Sequence, residues 1–543
     1  MLQQTTQKTV PYWIIGLFFL LAINVGFLIL FVRTPQGHRY TGIGLESTGD
    51  KLVYYSMLRQ GMQGDLFMRN TQTSEPQRAL LFSPHWWLIG GTAAMTRIPM
   101  EAAYHIYRII FAALFVWILY RIVRELPMTP AYRIVTYASV LFGSGFGWFY
   151  MQLHPQDSNP IIHWMYYFQN TPADIYVTEM NTFTSFVQSP LFMLSYILLL
   201  ACLYVLMRAL RRPSHRTDVL LGVLSFLLII IHPYDAMVLL GVICSFIVWR
   251  IVTARQQALI RTGLYAFGGS MLAYAYTWWS FQSEPALKGW LEQNITYSPR
   301  AGMYMWSLGI FFVLWLIGMY RVFAAREKDP WIVLMAIWSV LVWVLLYLPL
   351  PINRRLSNAW FVPIAIIGVY GLYAYLKNVR SFVMRSAIIS IIIMCGLSGT
   401  LWRLIIYATY TPTLTEKYAY YLDPYIDTVL TTVNRSFTQR DVVLSNEPVI
   451  SMLSGAYSPA RIYVGHGHQT VNFLSKQQSA QWFFGTNSGP KAQADKEAFI
   501  RSSGITALIV YRPSLTTDVS WLASAVFLQR IYSNEAADVY RVL

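Results

Sequence analysis

Hydrophobic and polar positions alternate in long blocks along this chain. Residues 11–32 form the first apolar run, about 22 residues and long enough to cross a bilayer. Ten more follow, at 102–123, 132–151, 182–207, 218–231, 236–249, 265–281, 303–323, 331–348, 360–376 and 386–407. The runs at 218–231 and 236–249 are short for a span, which predicts two helices meeting at a polar turn, His232-Pro233-Tyr234-Asp235, below the membrane surface. A partly apolar piece at 79–95 carries Pro84, His85, Trp86 and Trp87 and is interrupted by Gly90 and Gly91. It reads as a juxtamembrane or re-entrant helix with its tryptophans at the interface. From Thr411 the chain becomes polar. Alternation predicts strands at 441–445, 461–464, 505–511 and 538–542, and helices at 447–454, 475–484 and 495–502. The expected fold is therefore mostly α and polytopic, with about eleven transmembrane helices in 1–410 and a small external α/β domain in 411–543. The external loops of the first part are 33–100, 152–181, 282–302 and 349–358.

Composition agrees: 55% of residues are hydrophobic, only 12% are charged, and the mean hydropathy is +0.42. A soluble domain carries roughly 25% charged residues. The net charge of +16 reads as positive-inside bias and not as a nucleic-acid footprint. Each loop placed on the cytoplasmic side, from Arg121–Arg133 to Lys377–Arg385, carries at least three Lys or Arg, whereas most acids fall on the outer side. The amino terminus is then cytoplasmic and the 411–543 domain extracytoplasmic, with 11–32 an uncleaved anchor lacking a small-residue cleavage site. Arg354 and Arg355 break the rule, a positive pair at an outer helix start, and Arg is suited to bidentate recognition of phosphate. Cys202, Cys244 and Cys395 all lie in apolar runs and read as small core residues, with no disulfide framework and no metal site.

The stretch 46–61 is polar and lies between the first two apolar runs. Asp50 opens a D-x-x-x-Y pattern closed by Tyr54, and Leu52, Tyr55, Met57 and Leu58 alternate with Arg59 and Gln60 as in an amphipathic interfacial helix. A carboxylate just outside a membrane helix suits general-base chemistry; the plainer reading is an acid capping a helix that begins near Lys51. Asp174, Glu179, His232 and Asp235 join Asp50 and the arginine pair as outer-side ionisable groups, and ionisable residues at membrane depth are costly and usually functional. For His232–Asp235 the plainer reading is a helix break. Carboxylates plus arginines suit attack by a hydroxyl or amine on a sugar carried by a lipid phosphate. His466 and His468, in G-H-G-H-Q, have no acid or cysteine at ligand spacing, and a loop-packing role is expected.

The topology with D-x-x-x-Y in the first external loop resembles the GT-C superfamily of polytopic glycosyltransferases, which includes polyprenyl-phosphate-dependent mannosyltransferases and the aminoarabinose transferases of lipid A. More closely, the chain is similar to a bacterial family of GT-C-like membrane proteins. The similarity rests on D-K-L-V-Y-Y-S-M-L-R-Q-G-M-Q-G from Asp50, F-G-S-G-F-G-W from Phe142, and 173–190 with Glu179 and Phe183. It continues in H-P-Y-D from His232, N-R-R-L-S-N-A-W-F-V-P from Asn353, and R-I-Y-V-G-H from Arg461 with Phe483-Phe484 following. The resemblance implies a plasma-membrane enzyme of the cell envelope with a polyprenyl-phosphate-linked sugar donor and a glycan, lipid or protein acceptor at the outer face. It implies Asp50 as catalytic base. Many relatives carry a second acid directly after it, where this chain has Lys51, so Glu179 or Asp235 would supply any second acid, and a divalent metal is the one cofactor left open.

The expected function is thus an inverting transfer with Asp50, Glu179 and Asp235 as catalytic residues. Tyr54, Arg59, His85, Asp174, His232, Arg354 and Arg355 would bind substrate. The alternatives are a transporter of lipid-linked glycans, or a glycan polymerase or ligase using a lipid-diphosphate donor. A transporter of this size usually shows matching inverted halves, and no internal repeat is seen.

Overall fold

The computed structural model describes residues 10–154, 169–410, 412, 418–485, 490–515 and 519–543. The middle of the expected 152–181 loop and the residues before Val10 lie outside the described residues. The fold is mostly helical. Among the described residues, four helices are long and apolar enough to cross a membrane: Met100–Val123, Pro190–Arg211, Asp235–Ala254 and Phe382–Thr409. Counting each bent pair as one span raises this to seven, against the eleven runs read from hydropathy.

Some of the difference has visible causes. The 132–151 run is two helices, Pro130–Phe142 and Gly147–Leu153, bent by 51°. The 303–323 run turns by 96° between Ala301–Leu308 and Ile310–Ala324, at Gly309, whose φ of 55° suits a residue without Cβ. The 182–207 run breaks at Ser189–Pro190, where Ser189 caps the following helix by accepting from Leu191 N and Pro190 takes its first position. The break expected at His232–Tyr234 is present, with helices His215–Ile231 and Asp235–Ala254 on either side and His232 and Asp235 both buried. Cys202 is buried as expected, but Cys244 is exposed and Cys395 half-buried, so the three do not share a core environment.

The chain separates into two compact units. The first takes in Met1–Gly26, Tyr107–Tyr276 and Thr296–Thr409; the second takes in Phe27–Ile106, Thr277–Ile295 and Tyr410–Leu543. The second unit draws the 27–106 stretch, which includes most of the first external loop, together with the carboxyl-terminal residues.

Within the second unit a five-stranded sheet forms from Arg461–Ile462, Val442–Ser445, Ala507–Tyr511, Ala537–Val542 and Leu528–Ser533, in that spatial order. The first three strands are parallel and the last two join antiparallel. Val442–Ser445 and Ala507–Tyr511 are buried throughout, as expected of parallel strands covered on both faces. Helices Pro448–Tyr457, Phe473–Phe483 and Pro490–Ser502 occupy the places that periodicity predicts.

The 79–95 piece is a continuous helix, Pro84–Thr96, passing through both glycines. Gly90 does not interrupt it. A Cβ there would stand 2.4 Å from the Leu58 carbonyl, and one at Gly61 would stand 2.4 Å from the Trp86 carbonyl. The two glycines let Pro84–Thr96 and Thr48–Met62 touch backbone to backbone. This contact also corrects the expectation of an interfacial amphipathic helix at 51–60: Thr48–Met62 is buried along most of its length, Arg59 and Gln60 included. Gln60 is satisfied inside the fold, accepting from Arg69 N at 2.8 Å and donating to Arg69 O at 3.0 Å.

Candidate functional site

The second unit holds Asp50, Tyr54, Arg59 and His85. The helix begins at Thr48, not near Lys51, and its N-cap is Ser47 with φ 43° and no side-chain cap hydrogen bond. Asp50 therefore sits in the first turn, where the helix dipole favours a negative charge, and does not act as the cap. Its side chain is 40% exposed, and its Oδ1 lies 3.2 Å from Nε2 of His466. A Cβ at Gly49 would fall 2.9 Å from Cδ2 of the same imidazole, so the missing side chain is what admits the histidine.

Lys51, which follows Asp50, turns inward. It is fully buried, and its ammonium donates to the carbonyls of Gly44 and Glu46 and lies 5.5 Å above the Phe27 ring. It braces the segment that delivers Asp50. Tyr54, one helical turn from Asp50, stacks on Trp86 at 5.2 Å between centroids. Arg59 is buried with Nη1 3.4 Å from Gln63, and burial pulls its guanidinium down to about 10 against the opposing charge of Asp65. His85 is buried beside Trp86, and neither ring nitrogen has a hydrogen-bond partner among the described residues. Burial pushes it down to about 3, so it is a neutral core imidazole at ordinary pH.

The first unit holds the remaining six. Helix Pro330–Leu345 is followed by Pro349 and Pro351, which lead into the short 3-10 turn Asn353–Ser357. That turn is stitched to 296–298: Thr296 N donates to Pro351 O at 2.6 Å, Arg354 N to Thr296 O at 3.2 Å, and Ser298 N to Asn353 Oδ1 at 2.7 Å. From it, the Arg354 guanidinium lies 5.4 Å above Tyr176 and that of Arg355 lies 5.1 Å above Tyr234. Arg355 Nη1 stands 3.6 Å from Glu179 Oε1, while Thr178 Oγ1 donates to the other oxygen at 3.1 Å.

Behind Tyr234, His232 Nδ1 lies 3.1 Å from Asp235, and the Asn358 amide donates to both Asp235 oxygens at 3.0 and 3.1 Å. The same amide nitrogen reaches Ser195 Oγ at 3.0 Å. Glu179, Arg355, Tyr234, His232 and Asp235 are thus brought together. Asn358, Tyr176 and Tyr234 lie inside motifs quoted from the sequence but were not singled out there, since an aromatic face or an amide carries no charge signal.

Asp174 is held apart from this network, in the short helix Ala173–Tyr176. Its Oδ2 accepts from Gly147 N at 3.2 Å, and among the described residues Oδ1 has no partner. Arg403 grips the backbone, donating to Asp174 O at 2.5 Å. A Cβ at Gly147 would lie 2.0 Å from Asp174 Oδ1, so the F-G-S-G-F-G-W stretch is glycine-rich where the carboxyl packs against it. Burial pushes Asp174 up to about 7, against the opposing influence of Arg403 and the hydrogen bonds from Gly147 and Ser307. Among the described residues no three His, Cys, Asp or Glu side chains gather as a metal-binding group.

No family model matches the sequence, and no curated protein matches it. Solved structures do. The apo oligosaccharyltransferase of Archaeoglobus fulgidus is similar with a TM-score of 0.54 at 10% identity, over 94% of this chain and 70% of that one. The same organism's AglB, in complex with an inhibitory peptide and a dolichol-phosphate, gives 0.52 at 10% identity, over 91% of this chain and 69% of the other. The mycobacterial arabinofuranosyltransferase AftD gives 0.53 at 14% identity, over 96% of this chain and 41% of that much longer one. At such identities the likeness is one of fold: over nearly its whole length this chain shares the fold of these oligosaccharyltransferase and arabinofuranosyltransferase structures.

Proposed function

We propose that this protein is a membrane glycosyltransferase that moves a sugar from a polyprenyl-phosphate-linked donor to an acceptor at the outer face of a bacterial plasma membrane. The observation that carries the reading is Asp50: an accessible carboxylate in the first turn of a buried helix, following the first apolar helices of a GT-C fold. The names of the similar structures support the donor class, since they are glycosyltransferases and one is bound to a dolichol-phosphate. The charge alternation supports eleven spans, a cytoplasmic amino terminus and an extracytoplasmic 411–543 domain.

In the step proposed, the acceptor oxygen or nitrogen attacks the anomeric carbon and its proton passes to the Asp50 carboxylate. The bond from that carbon to the phosphate oxygen breaks with both electrons going to the phosphate. A single displacement inverts the anomeric centre. Arg354 and Arg355 are assigned to the phosphate, where charge develops, each guanidinium pre-set on a tyrosine face. Glu179 tethers Arg355. Asp235 is assigned a positioning role because it is fully buried and engaged by Asn358.

The test uses full-length protein in detergent with radiolabelled polyprenyl phosphates bearing mannose, arabinofuranose or aminoarabinose. Wild type should release polyprenyl phosphate. Asp50→Asn should bind a donor without consuming it, and Arg354→Ala/Arg355→Ala should fail to bind. Consumption by Asp50→Asn at the wild-type rate would overturn the assignment of the base.

A further inference from the structure

The parallel part of the second unit's sheet reverses its order at Val442–Ser445: the strand that follows it in sequence, Arg461–Ile462, lies on one side and Ala507–Tyr511 on the other. In open α/β sheets such a switch point, at the carboxyl ends of the strands, is where functional side chains collect. The segment leaving the carboxyl end of Arg461–Ile462 is 463–470, and it carries His466.

That segment is firmly held. Gly465 N donates to Thr470 Oγ1 at 3.0 Å, and Thr470 Oγ1 donates to Gln72 O at 2.6 Å. The His466 carbonyl accepts from Gln469 N and Thr470 N at 3.1 and 2.9 Å. His468 N donates to Nδ1 of His466 at 3.3 Å. A ring nitrogen that accepts carries no proton, so a neutral His466 carries its proton on Nε2, the atom 3.2 Å from Asp50 Oδ1. The backbone of the loop thereby sets the tautomer that places the N–H on the ring atom beside the carboxylate.

We propose that His466 is the positioning residue of the Asp50 base: its Nε2–H donates to Oδ1 and holds the carboxylate ionised and oriented for the acceptor proton. The carboxyl-terminal α/β part of the chain would then complete the catalytic apparatus. This inference rests on the reading of Asp50 given above.

Other titratable groups surround the pair. Glu46 and Lys51 flank Asp50 in sequence, with the Lys51 ammonium turned to the carbonyls of Gly44 and Glu46. Tyr54 lies on Trp86 and Arg59 is buried near Gln63. On the two helices packed against Thr48–Met62, His85 is buried beside Trp86 and Tyr457 donates to Glu101 at 2.8 Å. His468 stands with its ring centroid 6.0 Å from that of His466.

The experiment measures donor consumption against pH for wild type, Asp50→Asn, His466→Ala, His466→Gln and Gly49→Ala, with the same labelled polyprenyl-phosphate sugars. A hydrogen bond to the ionised form lowers a carboxyl pKa, so its removal raises that pKa. His466→Ala should lower kcat about 10- to 100-fold with KM for the donor little changed, and should move the acid limb of the profile to higher pH. His466→Gln, whose amide restores an N–H donor, should recover most of both. Gly49→Ala, which favours the helix but intrudes on the imidazole, should mimic His466→Ala and reads the same contact if that variant fails to fold. If Asp50→Asn is inactive while His466→Ala and Gly49→Ala keep the wild-type rate and profile, His466 has no such role and the function stands. If wild type consumes no donor, or Asp50→Asn consumes it normally, the Asp50 reading fails and the role of His466 falls with it.

Discussion

The side-chain amide of Asn358 donates to both carboxylate oxygens of Asp235, at 3.0 and 3.1 Å, and both residues are fully buried. Without the amide, the buried carboxylate loses its donor to both oxygens and keeps, among the described residues, only His232 Nδ1, 3.1 Å from one of them. Asn358→Ala should therefore destabilise the protein by about 2–3 kcal/mol, read from unfolding in detergent. Asp235→Asn keeps an acceptor and should cost less. It should also leave turnover within about tenfold of wild type, whereas loss of a general base removes 10²–10⁴-fold. A dead but well-folded Asp235→Asn would return Asp235 to the chemistry.

Asp174 should make stability pH-dependent in an unusual sense. Its folded-state pKa is about 7, above the ordinary carboxyl value, so between about pH 4 and 7 the folded state holds more protons than the unfolded one. Stability from this group is full below the unfolded pKa, declines as pH rises, and levels off above about 7. The slope is on the order of 1.4 kcal/mol per pH unit at most. Asp174→Asn should abolish it, as measured by denaturant midpoints across that range.

His85 should act in the opposite direction. Its pKa falls to about 3 on burial, so the unfolded state binds the extra proton between about pH 6.5 and 3, and stability drops as pH falls through that window. His85→Phe, of similar volume and with no ring nitrogen to desolvate, should be tolerated at pH 7 and should flatten the acid side of the stability curve. Loss of donor binding in this variant, with its fold intact, would show that the imidazole does meet substrate.

Placing a second acid directly after Asp50 should not create a two-acid site. Lys51 points into the fold toward two carbonyl oxygens, so Lys51→Glu would bury a carboxylate against acceptors. The expected result is destabilisation on the order of 3–5 kcal/mol. A stable Lys51→Glu protein whose turnover responds to divalent cations would contradict this.

The parts of the fold that declared themselves in the sequence are those whose burial leaves a simple pattern. Strands Val442–Ser445 and Ala507–Tyr511, buried throughout, follow short apolar runs bounded by polar residues, and Ala537–Val542 mixes polar and apolar positions. Leu528–Ser533 escapes that reading because it is an edge strand in which no residue is fully buried, so burial imposes no alternation on it. Helix Pro424–Ser436 carries a legible signal as well: Ile426, Val429, Leu430 and Val433 are its buried stripe at helical spacing. Hydropathy found the apolar runs but not their kinks, which depend on Gly309 and on the Ser189–Pro190 cap, single residues that an averaged window conceals.

At the site, the charges were legible and their partners were not. Asp50, Glu179 and the arginine pair stand out because a charge beside an apolar run is conspicuous. His466 carries no such signal relative to Asp50, because the two lie far apart in sequence and only the fold brings them to 3.2 Å. The burial of Lys51 depends on the backbone carbonyls of Gly44 and Glu46, which the sequence does not display.

The second unit is discontinuous, and this has a kinetic consequence. Arg39–Tyr40 pairs with Tyr421–Leu422, Thr73 bridges Val464, and Ala537–Val542 lies between Ala507–Tyr511 and Leu528–Ser533. An early segment therefore waits through synthesis of the intervening helices before its partners exist, and the sheet cannot close until residue 542 has left the ribosome. Contacts of such long range form slowly. The 463–470 segment is made only after the intervening helices, so a half-made chain holds Asp50 without the His466 that lies 3.2 Å from it in the finished fold.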